Sequence, residues 1–187
     1  MSGFDVDGAR CRARFDPGKP LSRRDDSVLP FATEEELAGK PLLLDRCTYF
    51  YQIQGRAPEL VEQLVETRLV NHSSVAIQEL AHTIGVLKPD HPATPGVIES
   101  VRALIAGMPD HRVFTPDVDV LGRAALLSGM LCRLQGYKKD ARHKALQDCT
   151  LFLQAQKLGA TVLTCNIAEF DYMLQLVPTG RVLFYRR

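Results

Sequence analysis

The sequence has almost no net charge. Its 23 Lys and Arg stand against 22 Asp and Glu, a balance of +1. That excludes a protein working as a polycation, such as a histone-like DNA coater, and leaves room for a local basic surface. There is no CxxC pair. The five cysteines (Cys11, Cys47, Cys132, Cys149 and Cys165) are odd in number and scattered, which argues against a zinc knuckle and a secreted disulfide framework. Buried, reduced thiols in a cytoplasmic protein are the plainer expectation. The five histidines form no HExxH and no close pair. The longest run free of Asp, Glu, Lys and Arg is 158–168, well short of the roughly 20 apolar residues that span a membrane. The first residues carry charges throughout and no apolar core, so no secretory leader is expected. Internal repeats and low-complexity tracts are missing too.

What is present is ordinary globular material: 187 residues, 45% hydrophobic and 24% charged. That length makes about one domain, able to bury roughly 70% of the surface its unfolded chain exposes. Residues 1–40 read differently from the rest. Their apolar residues show no period, and Pro17, Pro20 and Pro30 interrupt them. This segment is expected to be an extended or loosely packed N-terminal extension, with a helical turn at 33–38 that Thr33 and Glu36 close as a capping box. The structured domain is expected over 41–187.

Short apolar runs at 41–44, 70–75, 112–114, 161–164 and 181–185 read as strands. Helical spacing or capping marks 49–53, 58–69, the segment after Ser73 or Ser74, 97–106, 117–135, 141–158 and 170–176 as helices. Gly159 reads as a C-terminal cap. Helices alternating with buried strands predict a three-layer α/β/α sandwich around a mostly parallel sheet. Sites in such sheets form beyond the C-terminal ends of the strands.

Several polar residues fall at those ends. Asp45 directly follows Leu42, Leu43 and Leu44, either as a turn or N-cap residue or as a carboxylate in the crevice. Asp148 lies on the helical stripe of Ala145, Leu151 and Phe152, where a carboxylate needs an ion pair (Arg142 or Arg133) or a cation. Glu79 lies about one turn into the helix after Ser74. Thr164 and Asn166 end a strand, with Glu169 and Asp171 following. Three acids gathered at one sheet edge would repel one another and call for a divalent cation. Oxygen ligands favour Mg²⁺ or Mn²⁺, and two such ions can drive phosphodiester hydrolysis.

In order, these residues resemble the PIN-domain nucleases, and among them the VapC-like toxins of bacterial toxin–antitoxin pairs. The resemblance covers residues 42–185. It rests on LLLDRCTYF (42–50), HSSVAIQEL (72–80), LQDCTLFLQAQKLGATVLT (146–164) and TCNIAEF (164–170). It implies a PIN-like fold and Mg²⁺-dependent cleavage of RNA, of the tRNA or ribosomal RNA class. It implies also a small antitoxin that covers the site, and dimerisation of the toxin. Asp45, Glu79 and Asp148 would then be catalytic residues that hold the metal, with Asn166 in the fourth position. Glu169 falls where the family often has the Asp before Phe, and Asp171 is a second choice. Two departures stand out. Arg46 occupies the place of a Thr or Ser, where it would compete with the cation for Asp45 or bind the scissile phosphate. Thr48 is the available substitute for the missing hydroxyl, and the fourth position is Asn instead of Asp.

Arg133, Lys138, Lys139, Arg142 and Lys144 crowd the segment before Asp148, which makes it a candidate RNA track or a solvated turn. Tyr137 is a candidate for base stacking. An aspartate-nucleophile phosphatase is disfavoured because Cys47 stands where its second Asp belongs. A dinucleotide site is disfavoured because DRCTYFYQIQG has no Gly-rich turn. The competing function is a PIN-fold module with weak or lost catalysis, acting through antitoxin binding and transcriptional regulation on promoter DNA.

Overall fold

The computed structural model describes residues 4–12 and 18–186. In chain order its elements are α1 (Val6–Arg12), β1 (Leu42–Leu44), α2 (Arg46–Ile53), α3 (Glu59–Thr67), β2 (Val70–Ser73), α4 (Ser74–Gly85), α5 (Thr94–Ala106), β3 (Val113–Phe114), α6 (Val118–Leu134), α7 (Lys139–Leu158), β4 (Thr161–Thr164), α8 (Ile167–Leu176) and β5 (Val182–Phe184). The strands form one five-stranded sheet in the order β3-β2-β1-β4-β5, parallel throughout. Leu42, Leu43 and Leu44 align with Thr161, Val162 and Leu163.

A parallel sheet must be covered on both faces, so the strand at its centre, β1, is apolar at every position. β1, β4 and β5 are buried throughout. Alternation of side chains then divides the core in two. Leu43, Val162, Val182 and Phe184 pack with Leu127 and Leu131 of α6, Phe152 of α7 and Phe170 of α8. Leu42, Leu44, Leu163 and Leu183 pack with Tyr49, Leu64, Leu80 and Val101 from the helices of the first half. Each fully buried leucine contributes roughly 1.5–3 kcal/mol. The result is a three-layer α/β/α sandwich.

The helix ends follow local chemistry. Ser73 caps α4 by accepting from the Val75 amide at 3.1 Å. Asp117 caps α6 by accepting from the Val120 amide at 3.0 Å. Gly159 ends α7 at φ 66°, a left-handed conformation open to glycine at little cost. The expected capping box at Thr33 does not form. Residues Glu34–Leu37 make a single 3₁₀ turn whose Thr33 side chain caps nothing, and the Glu36 carboxylate faces Arg68 at 3.9 Å instead.

Within the leading segment, residues 1–3 and 13–17 lie outside the described residues. The remainder lies against the domain. Ala9 is buried, and α1 packs on α6. Around Leu29, which is buried, the chain runs beside β5: the Ala32 amide donates to the Phe184 carbonyl at 2.7 Å, and the Phe184 amide to the Pro30 carbonyl at 2.8 Å. The edge of β5 is thereby covered, which removes a template for unwanted strand pairing. Arg24 supplies the anchor. Its amide and its Nε–H both donate to the fully buried carboxylate of Asp171, at 2.8 and 2.6 Å. Arg24→Ala leaves that buried charge without its cation, and denaturant unfolding is expected to show a loss of about 3 kcal/mol.

Candidate active site

The sheet order reverses at one place. From β1 the chain winds outward to β2 and β3, and later returns to lay β4 and β5 on the other side. The crevice at the C-terminal ends of β1 and β4 is the usual site position in an open parallel sheet. Asp45 follows β1 there, and Thr164 ends β4. A cavity of about 190 Å³ opens at this point, lined by Asp45, Arg46, Cys47, Glu79, Lys144, Asp148, Cys165 and Asn166.

Asp45 occupies the N-cap position of α2 by its backbone, yet its side chain makes no cap hydrogen bond. Its Oδ2 accepts instead from the Thr164 hydroxyl at 2.6 Å and the Cys47 thiol at 3.1 Å. Both readings of Asp45 hold: its backbone caps α2 and its carboxylate lines the crevice. Glu79 projects from α4 and is buried. Burial first, and then the charge of Asp45, push its carboxyl up to about 7 against the opposing pull of Arg46 and Lys144. Asp148 projects from the buried face of α7. Burial and the charge of Asp45 hold it well above the usual carboxylate range, opposed by Lys144. Its Oδ2 accepts from the Asn166 amide group at 3.0 Å. Arg142, considered above as a partner for Asp148, donates its Nε–H to the Tyr137 carbonyl at 3.2 Å.

The remaining candidates divide. Thr164 stands at the centre of the site: its oxygen donates to Asp45 and accepts from the Asn166 amide at 2.9 Å. Arg46 faces Glu79, with Nε 3.7 Å from Oε1, and lies over the Phe50 ring. Its expected contest for Asp45 is therefore a partnership with Glu79, because the first turn of α2 aims residue 46 toward α4. Thr48 does not replace a hydroxyl at the cavity. It is fully buried, donates to the Leu163 carbonyl at 3.0 Å and accepts from the Tyr185 hydroxyl at 3.2 Å, tying α2 to β4 and the residue after β5. Glu169 is not among the residues lining the cavity and accepts a hydrogen bond from the Tyr137 hydroxyl. That bond holds the Tyr137 ring, expected as a stacking platform, half-buried against the core. Asp171 belongs to the Arg24 anchor, away from the cavity. Arg133, Lys138, Lys139, Arg142 and Lys144 are all exposed, from the last turn of α6 into α7, and of these Lys144 reaches the cavity.

Two lining residues escaped the sequence reading as site members. Cys47 and Cys165 were expected as buried thiols. Of the cysteines with described burial, Cys149 is buried and these two are half-buried in the cavity wall. Their positions just beyond β1 and β4 were the available signal.

Among the described residues, no three His, Cys, Asp or Glu side chains converge as a ready-made metal cage. The acids are turned toward internal partners: Thr164 and Cys47, Arg46, and Asn166. The donor chemistry still fits a hard divalent cation. Three carboxylates share one small cavity, two of them with raised proton affinity from burial and mutual repulsion, which a bound cation relieves. Among the described residues, no helix is long and apolar enough to cross a membrane.

No described protein family and no curated protein matches the sequence. Solved structures do. VapBC2 from Rickettsia felis bound to a DNA fragment from its promoter superposes with a TM-score of 0.54 at 14% identity, over 78% of this chain and 99% of that one. FitAcB from Neisseria gonorrhoeae gives 0.54 at 16% identity, over 77% and 96%. DNA-bound VapBC from Salmonella typhimurium gives 0.54 at 19% identity, over 77% and 97%. The fold is PIN-like. At these identities the likeness is one of architecture, and it agrees with the expected α/β sandwich.

The Glu79 carboxyl has a consequence for stability. Its folded proton affinity lies above the ordinary carboxylate value, so the folded chain binds more protons than the unfolded one between pH 4.5 and about 7. Stability without added cation must fall as pH rises through that window. Glu79→Gln is expected to flatten this fall and to raise stability at pH 8 by on the order of 2 kcal/mol, checked by thermal unfolding in EDTA.

Proposed function

We propose that this chain is a divalent-cation-dependent endoribonuclease, acting as the toxin of a toxin–antitoxin pair. One observation carries the proposal. Asp45 from the end of β1, Glu79 from α4 and Asp148 from α7 share a cavity at the switch point of a PIN-like sheet. Asp45, Glu79 and Asp148 are the residues to hold Mg²⁺ or Mn²⁺. When bound, the cation activates the attacking water and offsets charge at the scissile phosphate. Thr164 orients Asp45, and Asn166 orients Asp148. In the cation-free site Glu79 holds a proton near neutrality, which a bound cation would displace. Arg46 and Lys144 are placed to take a phosphate oxygen at the cavity mouth. Lys138, Lys139 and Arg142 extend the positive charge along the start of α7, a track for an RNA backbone of the tRNA or ribosomal RNA class. The small antitoxin partner is proposed from the likeness to the VapBC and FitAcB structures, and a homodimer of this chain from the sequence resemblance to the VapC-like toxins.

A second reading draws on a specific observation. Arg46 and Asn166 each occupy an acid that a cation would otherwise claim. Such internal neutralisation suits a module that keeps the fold and works through antitoxin and promoter DNA, as the DNA-bound neighbours suggest.

Cleavage of total tRNA and structured RNA decides between them. Incubation with Mg²⁺ or Mn²⁺ is expected to cut, EDTA to abolish cutting, and Asp148→Asn to lower the rate by at least about 100-fold. A folded, partner-free protein that cuts none of these and binds no Mn²⁺ favours the second reading. Charge removal at Lys138, Lys139 and Arg142 together is expected to weaken RNA binding evenly across sequences. It should also flatten the dependence of log affinity on log salt by about two to three units, measured by fluorescence anisotropy.

A further inference from the structure

Two thiols line the carboxylate cavity without a part in the chemistry above. Cys47 is in the first turn of α2 and Cys165 directly follows β4, so they come from the two segments that flank the crevice. The Cys165 amide N–H donates to Cys47 Sγ at 3.4 Å, and the two side chains are hydrogen-bonded. β1 and β4 are neighbouring strands in register at Leu44 and Leu163. Both residues are half-buried and line the cavity wall, whereas Cys149 is enclosed in the core.

We propose that Cys47 and Cys165 are a dithiol site that closes to an intramolecular disulfide across the crevice. The co-reactant is a low-molecular-weight disulfide, R–S–S–R. One protein sulfur attacks it, one R–SH departs, and a mixed disulfide is left. The second protein sulfur then displaces the other R–SH. One S–S bond breaks in the oxidant and one forms in the protein. The two thiol protons leave on the two R–SH molecules, the protein is oxidised by two electrons, and R–S–S–R is reduced. Closure removes the thiol hydrogen that Cys47 gives to Asp45 and ties the two walls of the cavity together. That closure turns cleavage down is a consequence resting on the ribonuclease reading. Formation of the bond does not depend on it.

The test treats the intact protein with oxidised glutathione, alkylates the remaining thiols, and maps peptides by mass spectrometry without reduction. The expected result is a Cys47–Cys165 cross-linked peptide in a chain lighter by two hydrogens, reversed by dithiothreitol. Cys47→Ser should stop the reaction at a glutathione adduct on Cys165, since Cys47 gives its thiol hydrogen to Asp45 and is the poorer nucleophile. The inference is overturned by free, alkylated Cys47 and Cys165 in the folded protein, by glutathione held singly on either, or by pairing with another cysteine. The readout is mass, so a chain that forms the bond but never cuts RNA sinks only the ribonuclease reading. A chain that cuts RNA but never forms the bond sinks only this inference. If both succeed, oxidation is expected to lower cleavage at least tenfold, with recovery on reduction. Unchanged cleavage by the fully cross-linked protein removes the regulatory consequence.

Discussion

Three carboxylates enclosed in one small cavity are the constraint around which this molecule is organised. Taking a charge out of water is costly unless it is paired, and like charges at close range raise that cost further. The chain meets it with partners drawn from several elements. Thr164 and Cys47 serve Asp45, Asn166 serves Asp148, and Arg46 with Lys144 opposes the charge on Glu79. The remaining electrostatic tension appears as raised proton affinity at Glu79 and Asp148. A cavity of this kind is poised to exchange protons or internal partners for a cation.

Holding such a cluster requires a stiff frame. The crevice exists because β1 and β4 lie side by side while the chain leaves them in opposite directions. Their apolar side chains are fully buried between two helical layers, and this leaves little freedom for Asp45 or Thr164 to drift. Glu79 and Asp148 sit on helices rather than loops, and α4 packs against α7. The Ser73 hydroxyl, donating to Gln154 of α7, ties β2 to that helix as well. Site groups carried on rigid elements hold their geometry better than groups on loops.

How much of this was legible depends on how local the cause is. The strands announce themselves as short apolar runs, unbroken in β1 and β5 and flanked by Thr161 and Thr164 in β4. The long helices do so through periodicity, and Gly159 through its conformational freedom. The starts of helices were harder. α2 begins at Arg46, not at residue 49, because the backbone of Asp45 serves as its cap. α5 begins at Thr94, with Pro95 in its first turn, where a missing N–H costs nothing. α8 begins at Ile167, directly after Asn166. These starts carry no hydrophobic rhythm to mark them.

The side-chain partnerships were less legible still. Asp148 and Asp171 look alike in sequence, each an acid near the apolar face of a helix. One enters the cavity and the other meets Arg24, 147 residues away in the chain. No local pattern separates them. By itself, the sequence determined the order of elements, the parallel α/β class and the set of acids eligible for a site, because these follow from hydrophobic period, turn chemistry and position after strands. Only the tertiary structure decided which acids share a cavity. It also decided that Arg46 faces Glu79, that Thr48 and Tyr137 are held elsewhere, and that two cysteines meet across the crevice. Those outcomes depend on distances between segments far apart in the chain, which exist only once the sheet has assembled and its winding has reversed.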